Sequence, residues 1–177
     1  MPCAYKVPSG PDLILISPMG RNISTAIHTF PDMVSRIHNG LTEVQIWPDL
    51  RNACDRPSTF CLSRPYLRDT FLFFSTAPAV TTPRATLSAR AGEATAQAER
   101  VRALVKQLTT QFRGICIFSH RKFISYLHES LDPFGVGEIR IYRFARGDEN
   151  VQRYGFNALM RRPQDFGPTV IKELWAV

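Results

Sequence analysis

Leu13-Ile-Leu-Ile-Ser-Pro-Met-Gly-Arg21-Asn-Ile-Ser-Thr-Ala-Ile-His-Thr-Phe30 is the stretch whose reading decides the fold. Its first four residues form an unbroken apolar run of β-favouring type. Such a run suits a strand covered on both faces, as in the parallel sheets of α/β proteins. Ser17-Pro-Met-Gly20 breaks the run, and helix-period residues begin near Arg21. The stretch therefore predicts a strand over 12–17 and a helix over 20–37, which Pro31 should kink or divide into two segments. Ligands of α/β folds sit at such junctions, because the helix start offers free backbone N–H groups and the positive end of its dipole. Arg21 adds a permanent, fork-shaped cation suited to phosphate or carboxylate. The stretch reads as one wall of an anion-binding cleft.

A second segment repeats the pattern. Gly114-Ile-Cys-Ile-Phe118 is another buried-type strand, and Ser119-His120-Arg121 leads into a helix predicted over 121–130. In a parallel sheet both turns lie on the carboxyl edge, so Arg21 and His120 converge. A histidine at that place suits acid/base or nucleophilic work; the plainer alternative is that it caps its helix. Between the two segments, Glu43-Val-Gln-Ile-Trp47 alternates and predicts a strand. Residues 92–112 predict the clearest helix, with Val101, Leu104, Val105, Leu108 and Phe112 on one face. Glu138–Phe144 alternates like a strand near a sheet edge.

The remaining segments are less regular. Residues 48–90 form a long Pro-, Ser-, Thr- and Arg-rich region, within which Pro65–Phe71 predicts a short helix and Leu72-Phe-Phe74 packs on the body. In the tail, Tyr154, Phe156, Leu159 and Met160 need cover, and 169–177 suits either a strand or a helix.

Composition narrows the class. The 177 residues suit one domain with a substantial core. The net charge of +7 favours acidic partners, but the basic residues are scattered, which fits a solvated surface and not a nucleic-acid face. The four cysteines (Cys3, Cys54, Cys61 and Cys116) show no Cys-x-x-Cys pairing and read as reduced, mostly structural thiols. No apolar run approaches membrane-span or signal-peptide length, so a cytoplasmic protein without membrane contact is expected. No cofactor and no metal site is indicated.

These residues resemble a known family. Ser17-Pro-Met-Gly-Arg21-Asn-Ile-Ser-Thr25-Ala26 is similar to the Ser-Pro-Leu/Met-x-Arg-x-x-Gln-Thr-Ala signature of the histidine phosphatase superfamily, especially its fungal phosphoglycerate mutase-like members. Ile117-Phe-Ser-His120-Arg-Lys-Phe resembles that family's second histidine motif. Phe134-Gly-Val-Gly-Glu138-Ile-Arg140-Ile-Tyr142-Arg-Phe144 resembles its closing motif, and Leu50-Arg-Asn-Ala-Cys-Asp55-Arg-Pro57 its Leu-Gln-Glu-x-Ser-Asp-x-Pro segment. The matches run in order over 12–145, leaving 146–177 as a C-terminal extension. The resemblance implies an α/β fold, a three-layer α/β/α sandwich with a mostly parallel sheet, here in truncated form.

The departures change the expected chemistry. The family's nucleophilic histidine sits in an Arg-His-Gly at the end of its first strand, and no Arg-His-Gly occurs here. The usual acid is replaced by Asn52, and the glycine after the second histidine is Arg121. Without nucleophile and acid, phosphoryl transfer lacks its covalent step and its proton donor. The implied function is a non-canonical enzyme that acts on a small anionic or carboxylate-bearing metabolite by proton transfer, in a setting such as fungal secondary-metabolite biosynthesis (cyclisation, dehydration or isomerisation). His120 and Asp55 are its catalytic candidates; Arg21, Ser17, Arg121, Asn52 and Tyr126 are its substrate-binding ones. Two alternatives stand beside it: a catalytically dead pseudophosphatase that binds an anionic metabolite or a protein partner, and residual phosphatase or mutase activity.

In the family a strand separates those that match 12–16 and 114–118. Here the two must pair directly, or Val170–Val177 or a second copy must fill the gap, because bare central edges are costly. A homodimer is expected on this ground.

Overall fold

The computed structural model describes residues 10–52, 62–71, 75–76, 91–129, 132–149 and 153–176. The fold is mixed α/β. Its main sheet contains β1 (Leu13–Ile16), β2 (Glu43–Ile46), β3 (Ser75–Thr76) and β4 (Ile115–Phe118), all parallel, in the order β3-β2-β1-β4.

The apolar run of β1 works as its composition predicts. All four of its side chains are at most 1% exposed. Alternation sends Leu13 and Leu15 to one face and Ile14 and Ile16 to the other, each pair into its own apolar cluster. On the Leu13/Leu15 side lies α4 (Ala91–Leu108), which presents Ala94, Ala98, Val101 and Val105 at helical spacing, together with Leu50, Phe123 and Tyr126. On the Ile14/Ile16 side lie Ile23 and Ala26 of α1 (Gly20–Thr29), Met33 of α2 (Met33–His38) and Leu67 of α3 (Arg64–Thr70). Each fully buried Leu or Ile contributes about 1.5–3 kcal/mol, so the central strand is anchored from both sides.

The question of the central strands has a definite answer. β1 pairs directly with β4, Leu13 opposite Ile115 through Ile16 opposite Phe118. The described part of the C-terminal segment does not fill a gap: β8 (Ile171–Ala176) pairs antiparallel with β5 (Arg140–Phe144) in a separate two-stranded sheet. A third sheet is the hairpin of β6 (Tyr154–Asn157) and β7 (Arg162–Asp165).

Other boundaries shift for identifiable reasons. Pro31 does divide the first helical region, into α1 and α2. The long helix α4 ends at Leu108 and not at 112. The helix expected over 121–130 is only α5 (Arg121–Ile124), because side chains take the carbonyls that a longer helix would use. Asn157 Nδ2 donates to Ser125 O at 2.9 Å, Gln164 Nε2 to Tyr126 O at 3.0 Å, and Arg102 Nη1 to the carbonyls of Tyr126 and Leu127 at 2.7 and 3.0 Å. These bonds also explain the tail. The β6–β7 hairpin docks through the buried amides of Asn157 and Gln164, so Tyr154 and Phe156 do not find the expected cover and stay 66% and 45% exposed. Leu72–Phe74 lies outside the described residues.

Arg102, fully buried, is the hub of this junction, and Glu99 carries its counter-charge. Arg102→Met should keep the volume but strand the Leu127 carbonyl and the Glu99 carboxylate, leaving Tyr126 O to Gln164 alone, and lower stability by about 2–4 kcal/mol in a urea titration. A loss under about 0.5 kcal/mol would contradict that role.

Candidate functional site

The carboxyl ends of β1, β2 and β4 meet at one corner. Ser17 N donates to Phe118 O at 3.0 Å, Trp47 N to Ile16 O at 2.9 Å, and Ser119 Oγ to Leu50 O at 2.8 Å. These bonds hold the turn after β1, the 3-10 turn Pro48–Leu50 after β2 and the turn after β4 side by side. His120 is the extended residue just before α5, and its side chain makes no capping bond to that helix. The capping alternative is thereby removed.

The imidazole has other partners. Arg21 Nη2 lies 3.1 Å from its Nδ1, while Ser17 Oγ and Asn22 Nδ2 each lie 2.9 Å from its Nε2. Ser17 is wholly buried, His120 and Asn22 nearly so, and Arg21 reaches the exposed surface. Thus the predicted convergence of Arg21 and His120 is present, and direct β1–β4 pairing produces it. Arg21 does nothing for its helix: a cation in the first turn opposes the dipole, and that turn contains no acidic residue.

Burial pushes the His120 pKa down, and the Arg21 charge beside it pushes further, to about 4. The ring is therefore neutral at pH 7, with one protonated nitrogen and one lone-pair nitrogen. A guanidinium has no acceptor, so its contact with Nδ1 requires the lone pair there and the proton on Nε2. Ser17 Oγ can accept that proton's hydrogen bond. The ring is then a poised acceptor whose open side is covered by a cation.

The other predicted residues scatter. Arg121 is exposed at the start of α5, beside the site in sequence. Asn52 is half-buried, and its Oδ1 is enclosed without a hydrogen-bond donor among the described residues. Tyr126 is a core residue, 2% exposed in the cluster with Leu13 and Leu15, and does not wall an open pocket. Asp55 lies outside the described residues, as do Cys3, Cys54 and Cys61. Cys116 packs against the Ile14/Ile16 cluster, and burial lifts its thiol pKa to about 11, which keeps it protonated and inert.

His128 and Tyr142 form a separate cluster. Tyr142 OH donates to His128 Nε2 at 2.8 Å, and His128 Nδ1 donates to Glu129 O at 2.9 Å. Burial pushes the His128 pKa down and the Tyr142 pKa up, so both are neutral and fully engaged. The cavity beside them, about 10 Å³ between Ser125, His128 and Phe134, has room for one water. This is structural packing.

Asn22 is the participant that the sequence reading missed. It occupies an unspecified position of the signature, between Arg21 and Ile23, and only the strand pairing brings it to the ring. Among the described residues no group of three or more His, Cys, Asp and Glu side chains gathers as a metal site would. No described helix is long and apolar enough to cross a membrane. Comparison with protein-family models, with curated proteins and with solved structures finds no significant match.

An NMR titration of His120 should give a midpoint near pH 4, against about 6.5 for a free histidine. Arg21→Met should raise it without restoring 6.5, because burial is the larger cause. Since the unfolded chain binds this proton near pH 6.5 and the folded one only near 4, stability should be full above 6.5 and decline as pH falls towards 4. A wild-type midpoint at or above 6.5 would contradict the geometry.

Proposed function

We propose that this chain is a non-canonical enzyme on a degenerate histidine phosphatase-like fold, with three α/β/α layers, and that it moves a proton on a small anionic metabolite. The observation that carries the reading is the Arg21–His120 contact, 3.1 Å long, at the carboxyl edge of a parallel sheet. Apolar clusters with helices on both faces of β1 support the layered architecture. The ordered motifs from Ser17 to Phe144 support the family relationship.

The chemistry follows from what an anion does at this corner. A carboxylate or phosphate is a better partner for a guanidinium than a neutral imidazole is, because the bond gains charge on both sides and often a second N–H. Arg21 swings to the anion and uncovers Nδ1. The bound negative charge then offsets the charge of Arg21 and raises the basicity of the ring. With Nδ1 uncovered, His120 can pass a proton to or from the bound substrate there, and Arg21 stabilises the enolate or carboxylate that results. None of these steps calls for a phosphohistidine, and Asn52 stands where the family it resembles has its acid.

A second reading keeps the anion and drops the catalysis. It is favoured by the enclosure of the ring, which is 6% exposed. The two readings separate in deuterium oxide. Proton-transfer catalysis predicts wild-type exchange of C–H groups next to the carboxylate in a panel of 2-oxo and hydroxy acids, and loss of that exchange in both His120→Ala and Arg21→Ala. Binding without exchange across the panel supports the pseudophosphatase reading and refutes the enzymatic one. In either case p-nitrophenyl phosphate should be hydrolysed no faster than in buffer; turnover abolished by His120→Ala would instead favour residual phosphatase activity.

A further inference from the structure

The contacts around His120 contain a conflict. Arg21 and the Asn22 amide nitrogen are both obligate donors, one at Nδ1 and one at Nε2. A neutral imidazole has only one lone-pair nitrogen, so it cannot accept from both. With Arg21 in place the proton is on Nε2, and the Asn22 amide must turn its Oδ1 towards the ring. With Arg21 drawn away, the donor placement of Nδ2 at Nε2 becomes the satisfied one, and the proton belongs on Nδ1.

We infer that Asn22 is a positioning residue that lets His120 exchange tautomers when an anion takes Arg21. The inference rests on the anion-site reading above. Its physical basis is that both neighbours of Nε2 are ambivalent. A serine hydroxyl donates or accepts by rotating, and a primary amide does so by turning over. A carboxylate there could only accept and would hold the proton on Nε2; an ammonium could only donate. Ser17 and Asn22 are the residue types that serve a ring which must present a lone pair in one state and an N–H in the other. In the anion-bound state Nδ1–H donates to the ligand while Nε2 accepts from Asn22 Nδ2. The proton leaves Nε2 and arrives at Nδ1 by exchange with solvent, so the ring stays neutral and nothing else is consumed. This assigns the ligand a chemistry: an anionic oxygen for Arg21 and an acceptor oxygen facing Nδ1, as in inorganic phosphate or a carboxylate.

The test is ¹⁵N NMR of the His120 ring at pH 8, with the full chain free and then saturated with inorganic phosphate or with citrate. The free ring should carry its proton on Nε2, and the anion-bound ring on Nδ1. Asn22→Asp should retain the Nε2 proton at every anion concentration and bind phosphate more weakly than Asn22→Leu, since Nδ1 then meets the anion with a lone pair and a second negative charge stands nearby. Asn22→Leu, which has no donor, should weaken phosphate binding about tenfold, the worth of one hydrogen bond, with the circular dichroism of the wild type. A bound wild-type ring that keeps its proton on Nε2, or carries protons on both nitrogens, overturns the inference while leaving the anion site standing. An anion that shifts neither Arg21 nor His120 signals removes the anion site itself, and the tautomer exchange with it. The wild-type comparison is decisive even if a variant fails to fold.

Discussion

The direct pairing of β1 with β4 is the constraint on which the rest depends. Four residues in each strand run parallel and in register, and the two polar turns that follow begin at the same level of the sheet. A shift of the register by one residue would turn the Leu13/Leu15 pair out of its cluster and Ile14/Ile16 out of theirs. Burial on both faces therefore fixes the register, and the register fixes which side chains meet beyond the strand ends. Ser17, Arg21 and Asn22 come to His120 because four apolar residues upstream have only one good place to go. The chemistry at the corner is thus a consequence of the core.

The corner differs from a merely stable polar network. Buried polar groups in folded proteins are satisfied almost without exception, and an arrangement with competing claims on one lone pair costs free energy. Here a cation opposes its own helix dipole, Arg21 and Asn22 are reconciled at one neutral ring only by turning the Asn22 amide, and the Asn52 Oδ1 is enclosed without a donor among the described residues. By contrast, the His128–Tyr142 cluster is fully satisfied, with each ring nitrogen in one compatible bond. Local dissatisfaction of this kind concentrates at functional sites, where it is relieved by a ligand. That contrast separates the two histidines more sharply than their burial does, since both are nearly inaccessible.

Much of this was legible in the sequence. The two apolar runs, the Pro31 division, the short helix at Pro65 and the convergence of Arg21 with His120 all follow from periodicity, turn chemistry and the carboxyl-edge rule for parallel sheets. The failures share one cause. Helix α5 stops early because Arg102, Asn157 and Gln164 capture its carbonyls from far away in sequence. The hairpin of β6 and β7 docks by amides, which no hydrophobic pattern reveals, so Tyr154 and Phe156 were expected to be covered. Tyr126 reads as a pocket aromatic and is core: its helix ends at Ile124, two residues earlier, and its side chain joins the cluster with Leu13 and Leu15. Asn22 was invisible for the same reason: its role depends on a partner 98 residues away. Sequence patterns report what an element needs for its own burial, and they are silent on long-range polar bonds.

The most direct test of the account is the through-hydrogen-bond NMR coupling between the Ser17 amide nitrogen and the Phe118 carbonyl carbon. That bond, 3.0 Å long, is the last rung between β1 and β4 before the chains diverge towards Arg21 and His120. A resolved coupling between these two residues, with slow exchange of the Ser17 amide proton, is the predicted result. Coupling of Ser17 to a carbonyl outside β4, or rapid exchange of its amide, would show that the strands do not pair in this way and would leave the site without a foundation.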